Sequence, residues 1–458
     1  MSLGLRNLTI ITVLITALFA AIYLPALGHG FIKDDFRWIA AAEVHSPSDI
    51  ARIFSTDLGF YRPLVTLSFA LDRTLWNLDA RGYALTNVLL LAADAVLLFL
   101  LARRLSLRRE AALVAAAVWL FNFHGINTAL LWTSGRTELL LCVFAQAGAL
   151  VFLRARRWSG VIAGVLVLLA MLCKEEAVVL PPLFVALSFL LAREPRAPHA
   201  ALFNTWPLWV AALVYAVARM RSGAFGISDA PDYYRLTFDP RLVGQNVGEY
   251  LDRGGTFATV VAAMFWIAAP LSTPLEVDEH RAIRFGIAWF IALYAITLFV
   301  PVRSSLYAVA PSIGSALIAA VCAARAARAA PARFARLAAT IMVLIALLIP
   351  VYRSRNHGLV EPADLATRAL VTIQAAARID QTVRDVILVD DPAAAVTLDS
   401  AFGALLPDAL HLFVGSGVNG KIVRETGADD DALVFVLRDG YLARISGNPA
   451  DSSASHSG

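Results

Sequence analysis

Two adjacent carboxylates, Asp34 and Asp35, stand a few residues after the first long apolar stretch of this chain. Paired acids at a lipid surface are costly unless they face water, a cation or a partner. In a catalytic arrangement one carboxylate accepts a proton from an attacking hydroxyl. The other orients the nucleophile or holds a divalent ion such as Mg or Mn. The bland alternative is a solvated loop start beside Lys33 and Arg37. An isolated Asp-Asp pair does not choose between the two.

Other polar residues fall at the ends of apolar stretches or inside them. Glu138 follows Gly135-Arg136-Thr137 at the start of one stretch. It serves either as a helix start favoured by the dipole or as a second acid facing Asp34 and Asp35 across a cavity. Lys174-Glu175-Glu176 joins two stretches; these charges suit both adjoining dipoles, and a lysine there can also hold a phosphate. Asn87 and Asp94 lie seven apart, on one helical face, with Asp94 deep among apolar residues. Such a group is either functional or half of an interhelical hydrogen bond. Arg303 and Tyr307, one turn apart, can clamp an anionic head group, or the tyrosine can belong to an aromatic belt.

Membrane helices must position these residues. Of the 458 residues 59% are hydrophobic and only 16% charged, and the mean hydropathy is +0.68. A soluble domain is about a quarter charged. The apolar blocks run 8–28, 84–102, 110–123, 137–153, 158–173, 177–192, 203–220, 256–273, 283–300, 305–324 and 335–351. Roughly 17–22 apolar residues cross a bilayer as helix, so the chain is expected to be an α-helical polytopic membrane protein of about eleven spans. The first block follows Arg6 and precedes a cleavage-like Ala26-Leu27-Gly28, yet its length favours an uncleaved anchor. Arginine collects in every second short loop: Arg103, Arg104, Arg108 and Arg109; Arg154, Arg156 and Arg157; Arg193 and Arg196; Arg281 and Arg284; Arg325, Arg328, Arg333 and Arg336. Those loops are expected in the cytoplasm, with the N-terminus inside and the C-terminus outside.

The expected organisation is a transmembrane domain over 1–352, a small α/β extracytoplasmic domain over 353–450, and a disordered tail, 451–458. Outer loops span 29–83, which contains weakly amphipathic stretches that can lie along the interface, and 221–255. Strands are expected at Asp385–Asp390 and Ala432–Leu437. Cys142, Cys173 and Cys322 lie in or beside apolar blocks and suggest neither a disulfide framework nor a metal spacing. A mild net charge of +4, dispersed in short loops, leaves no basic face for nucleic acid.

Six stretches taken together carry a resemblance: Phe31-Ile32-Lys33-Asp34-Asp35, Tyr61-Arg62-Pro63-Leu64, Gly82-Tyr83 through Asn87, Gly135-Arg136-Thr137-Glu138, Cys173-Lys174-Glu175, and Tyr307 with Pro311-Ser312-Ile313-Gly314. In this order, and on one side of the membrane, they resemble the GT-C superfamily of membrane glycosyltransferases. The likeness is nearest to the dolichyl- or polyprenyl-phosphate-mannose protein O-mannosyltransferases. The resemblance implies a sugar carried on a polyprenyl phosphate and transferred outside the membrane with inversion. It places Asp34 or Asp35 as the catalytic acid of the first loop and Glu138 as the second acidic position. Lys174, Arg303 and Tyr307 fall near its donor-phosphate positions. The chain departs from the pattern at Glu138, where Asp is usual, at Ala84 and Leu91, where histidines are expected, and at Asp94, where Asn is. Within these 458 residues no tetratricopeptide array is expected.

These readings make the expected function glycosyl transfer in a bacterial inner membrane, with membrane lipids as surroundings and a glycan, lipid or protein as acceptor. A flippase for lipid-linked sugars and a non-catalytic scaffold are the alternatives. A flippase should show broken helices and paired halves near the midplane. Here the polar residues gather at the outer ends.

Overall fold

In a computed structural model of the chain, the described residues are 5–55, 59–192, 205–224, 226, 230–379, 384–425 and 432–445. The proposed tail, 451–458, lies outside them. In chain order the helices are α1 Leu5–Tyr23, α2 Asp34–Ala41, α3 Pro47–Ile53, α4 Pro63–Trp76, α5 Ala80–Arg104, α6 Arg109–Leu120 and α7 Ile126–Leu131. There follow α8 Arg136–Phe152, α9 Ser159–Met171, α10 Leu180–Leu190, α11 Trp206–Ser222, α12 Pro240–Leu251, α13 Phe257–Ala268 and α14 Val277–Tyr294. The last five are α15 Ser312–Ala329, α16 Pro331–Leu347, α17 Ile349–Ile379, α18 Leu398–Phe402 and α19 Leu406–Phe413.

Each of the eleven apolar blocks contains one of these helices. Five segments are long and apolar enough to cross a bilayer: Thr9–Ala26, Ala80–Arg104, Thr133–Phe152, Val277–Phe299 and Ser305–Ala329. A sixth is counted if α16 and α17, bent by 46° at their junction, act as one span. The protein is therefore a membrane-spanning helical protein. Several blocks are shorter as helix than as apolar sequence, because turns and 3-10 segments use part of their length. The block 177–192, for instance, divides into the 3-10 turn Glu175–Val179 and α10.

At the bundle's centre α15 is buried on almost every side. Its alanines and glycine admit close neighbours: a Cβ added at Gly314 would lie 2.3 Å from the Gly286 carbonyl oxygen of α14. Small residues at helix contacts let membrane helices approach in this way.

Beyond α17 lies a four-stranded sheet of order β2-β1-β3-β4, made of β1 Asp385–Val389, β2 Asn419–Val423, β3 Leu433–Arg438 and β4 Tyr441–Ile445. β1 pairs parallel with β2 and β3, and β3 antiparallel with β4. Val386 and Leu388 are buried on the central strand, and β3 alternates buried Leu433, Phe435 and Leu437 with half-buried neighbours. These apolar faces join Phe36, Val65 and Phe69 of the first loop and Leu365, Ala366 and Ile373 of α17 in one core. The first loop and the C-terminal sheet are thus packed together.

Candidate functional site

Asp34 and Asp35 form the first turn of α2, where a helix dipole favours negative charge. Their environments differ. Asp35 is wholly buried. Its Oδ2 accepts the Ile32 amide at 3.0 Å, and its Oδ1 accepts both the amide and the hydroxyl of Ser134, at 2.7 and 2.5 Å. Burial pushes this carboxyl up to about 7, against the lowering effect of those hydrogen bonds. Asp34 is open to solvent. Desolvation by its surroundings raises its carboxyl too, while the charges of Arg62, Arg37 and Lys33 pull it down. Lys33, just before the pair, has φ 45° and ψ −123°, a strained conformation for a residue with a side chain.

Ser134 reaches Asp35 because the chain turns sharply between α7 and α8. The 3-10 turn Thr133–Gly135 packs so tightly on α7 that a Cβ at Gly135 would lie 2.6 Å from the Ala129 Cα. Asn87 of α5 steadies the same turn by donating to the carbonyls of Ala129, Leu130 and Thr133 at 3.3 to 3.5 Å.

Two further groups of charges lie in the same part of the molecule, and the Arg62 of the first acts on Asp34. In the first, Arg62 donates from Nε and Nη2 to Glu175 at 2.9 and 2.7 Å, and Arg219 of α11 approaches the other oxygen at 3.4 Å. In the second, Lys174, only 3% exposed, pairs with Glu138 and lies 3.0 Å from Glu176. Its ammonium also sits 4.7 Å from the centroid of the Tyr307 ring. Two carboxylates thus share one lysine. Burial, reinforced by the Glu138 charge, pushes the Glu176 carboxyl up. The Leu64 amide donates to the Leu172 carbonyl at 3.3 Å and ties the two groups together.

Arg136 belongs to a separate knot. Fully buried, it pairs with Asp72, donates through Nε to Asn87 at 3.0 Å and to the carbonyls of Ser68 and Tyr83, and lies 4.5 Å over the Phe69 ring. Thr86 completes the Asp72 carboxylate at 2.7 Å.

The structure brings some of the expected residues together and separates others. Lys174 and Tyr307 meet, and Glu138 joins them by pairing with the lysine. Arg303 is held elsewhere, by Asn246 at 2.8 Å and Gln245 at 2.6 Å of α12. Asn87 is occupied by the turn and by Arg136, and Asp94 accepts Gln146 of α8 at 3.0 Å in a bond between helices. Arg62 and Arg219 enter as charged groups that sequence reasoning did not single out, while Glu175 and Glu176, expected only to suit the adjoining helix dipoles, take up the cations Arg62 and Lys174. Arg62 stood within a quoted stretch, whereas nothing about Arg219, at the end of an apolar helix, set it apart.

A divalent ion does not fit the aspartate pair. Asp35 is wholly buried and both of its oxygens already accept protein donors, which leaves Asp34 as the accessible ligand of the two. No group of three His, Cys, Asp or Glu side chains that could hold a metal converges among the described residues.

No family model matches the chain. It is 34% identical over 180 residues to the protein O-mannosyl-transferase Tmtc1 of Drosophila melanogaster, covering 36% of this chain and 21% of that protein. It is 32% identical over 185 residues to protein O-mannosyl-transferase TMTC3 of Mus musculus, covering 36% and 20%. The chain thus spans about a fifth of the length of these relatives. Among solved structures, arabinofuranosyltransferase AftD from Mycobacteria superposes with a TM-score of 0.49 at 16% identity, over 92% of this chain and 32% of that one. ArnT from Cupriavidus metallidurans, bound to undecaprenyl phosphate, gives 0.48 at 16% identity, over 80% and 72%. The curated relatives bear out the resemblance carried by the quoted stretches: over about a third of its length, this chain is similar to protein O-mannosyl-transferases.

Proposed function

We propose that the chain is a membrane glycosyltransferase that moves a sugar from a polyprenyl phosphate to an acceptor hydroxyl at the outer membrane face, with inversion. The observation that carries this reading is the division of labour in the acidic pair. Asp35 is buried and accepts three donors, while Asp34 is open to solvent within reach of the Arg62 charge.

Asp34 is the base. It takes the proton of the acceptor hydroxyl as that oxygen bonds to the anomeric carbon, and the bond from that carbon to the phosphate oxygen breaks. A carboxyl raised above its ordinary range is a better proton acceptor than a free aspartate. The departing polyprenyl phosphate needs positive charge. Arg62, which uses Nε and Nη2 on Glu175, turns Nη1 to a phosphate oxygen, and Lys174 beside Tyr307 supplies a second cation. Glu138 holds Lys174, and Asp35 holds the turn that fixes α2. No step requires a metal.

The reading requires the first loop and the C-terminal sheet to lie outside, on an eleven-span arrangement with the arginine-rich loops inside. Reporter fusions after residues 155 and 330 should read cytoplasmic, and one after 400 external. A cytoplasmic signal at 400 would remove the site from the outer face.

The chemical test separates the two aspartates in a reconstituted assay with a polyprenyl-phosphate sugar. Asp34→Asn should lose about 10²–10⁴ in transfer rate at normal protein level, the usual loss for a general base. Asp35→Asn puts an NH₂ where an acceptor is needed, so it should reduce the amount of folded protein instead. Full activity in Asp34→Asn would leave transport or scaffolding as the better account.

A further inference from the structure

Helix α2 is held from both sides. Asp35 fastens one side to Ser134 of the membrane domain. Trp38, farther along the helix, stacks on Phe69 of α4 with ring centroids 6.2 Å apart, and the residues around the acidic pair are held by a short segment of the C-terminal module, residues 401–413. The Lys33 amide donates to the Ala401 carbonyl at 3.0 Å. Phe36 stacks on Phe402, with ring centroids 5.7 Å apart and planes 25° apart, and meets the Phe413 ring edge-on at 6.4 Å. Arg37 lies 3.5 Å from Asp408. These contacts reach the three residues that bracket the acidic pair.

The segment is itself rigidly mounted. Phe402 and Leu406 are buried in the core that contains the sheet, and α19 presses on β2 so closely that a Cβ at Gly420 would lie 2.4 Å from Leu410 Cδ1. α17 anchors the whole to the first membrane helix: Arg353 donates to the Ala21 carbonyl at 2.8 Å, and Asn356 to that of Ile22 at 3.2 Å. The module is therefore a fixed wall behind α2. The strained Lys33 backbone, with its amide fixed on Ala401, sets the direction in which Asp34 leaves the chain. Misplacing a reacting group by about 1 Å can cost on the order of 10²-fold in rate.

We infer that the C-terminal module positions the acidic pair, with Phe402 as the chief positioning residue and the Arg37–Asp408 pair as its secondary restraint. The role assigned to Asp34 rests on the proposed function; the mechanical coupling does not.

The experiment uses the full chain in lipid nanodiscs and reads two quantities. One is amide hydrogen exchange in peptides covering residues 31–41, with peptides from α8 as the internal control. The other is kcat and donor KM for sugar transfer. Phe402→Ala should speed exchange around Lys33 and Asp34 at least tenfold, leave α8 unchanged, and lower kcat about tenfold or more with little change in donor KM. Phe402→Leu, which keeps the apolar bulk, should restore most of both. Asp408→Arg should give a smaller effect of the same kind, reversed when combined with Arg37→Asp; this pair keeps the test decisive if Phe402→Ala does not fold. Unchanged exchange in 31–41, or faster exchange with unaltered kcat, overturns the inference. If Asp34→Asn is fully active while Phe402→Ala still loosens 31–41, the coupling stands and the catalytic reading of Asp34 falls.

Discussion

The Arg136 knot and the Lys174 group are both buried, both built on a cation and carboxylates, and both supplied by the same helix, α8. They are finished differently. Arg136 meets one carboxylate, Asp72, and donates to an amide and two carbonyls besides, while Thr86 completes the acid. Lys174 faces two carboxylates, and the Glu138 Oε2 has no partner within the protein. A buried polar network that is fully satisfied rigidifies a core. One left with an unpaired acceptor keeps capacity for a hydrogen-bond donor of a ligand, such as a sugar hydroxyl. Burial alone therefore does not mark function; the remaining hydrogen-bonding capacity does.

The largest effect should come from breaking the finished knot. Arg136→Met leaves Asp72 buried without its cation, and loss of one partner of a buried pair typically costs about 3–5 kcal/mol. Folded protein recovered in detergent should fall sharply, and Arg136→Met combined with Asp72→Leu should regain part of it. Near-normal thermal stability in Arg136→Met would erase the distinction between the two groups.

A smaller and more specific change is expected at the unfinished group. Lys174→Met combined with Glu138→Gln and Glu176→Gln removes the cation without stranding either of its acids. Charge-assisted hydrogen bonds are worth about 1.5–3 kcal/mol, so donor affinity should weaken about tenfold or more while protein level stays close to normal. Unchanged donor affinity would return Lys174 to a purely structural role.

The smallest effect concerns pH. Desolvation by its surroundings raises the Asp34 carboxyl, and the Arg62 charge lowers it. A base must be unprotonated, so transfer rises as pH climbs through the Asp34 value. Arg62→Gln removes the lowering charge, keeps Asp34 protonated to higher pH, and should move the acid limb of the kcat/KM profile upward. A limb that stays put or moves downward would separate Arg62 from the aspartate.

Much of the fold was legible because the bilayer imposes a long, one-dimensional pattern. Each apolar block carries a helix, since the span must satisfy its backbone hydrogen bonds internally. The strands at 385–389 and 433–438 were visible for a related reason, as short apolar runs bounded by turn residues. The candidate site was legible only as separate fragments. Asp34, Asp35, Glu138, Lys174 and Tyr307 could each be named from position and resemblance, but their partners could not.

The sequence by itself determined that this chain crosses a membrane and that its acids and cations gather at helix ends, because hydrophobic length and charge are local properties. Tertiary structure decided which acid is spent and which is open. Asp34 and Asp35 are chemically identical neighbours, and only the approach of Ser134, 99 residues away in sequence, fills one and leaves the other. It likewise bonded Arg303 to Asn246 of α12 instead of bringing it beside Lys174, and put the 401–413 segment behind α2. Those outcomes depend on contacts between distant parts of the chain, where packing and hydrogen-bond geometry, rather than residue type, choose the partner.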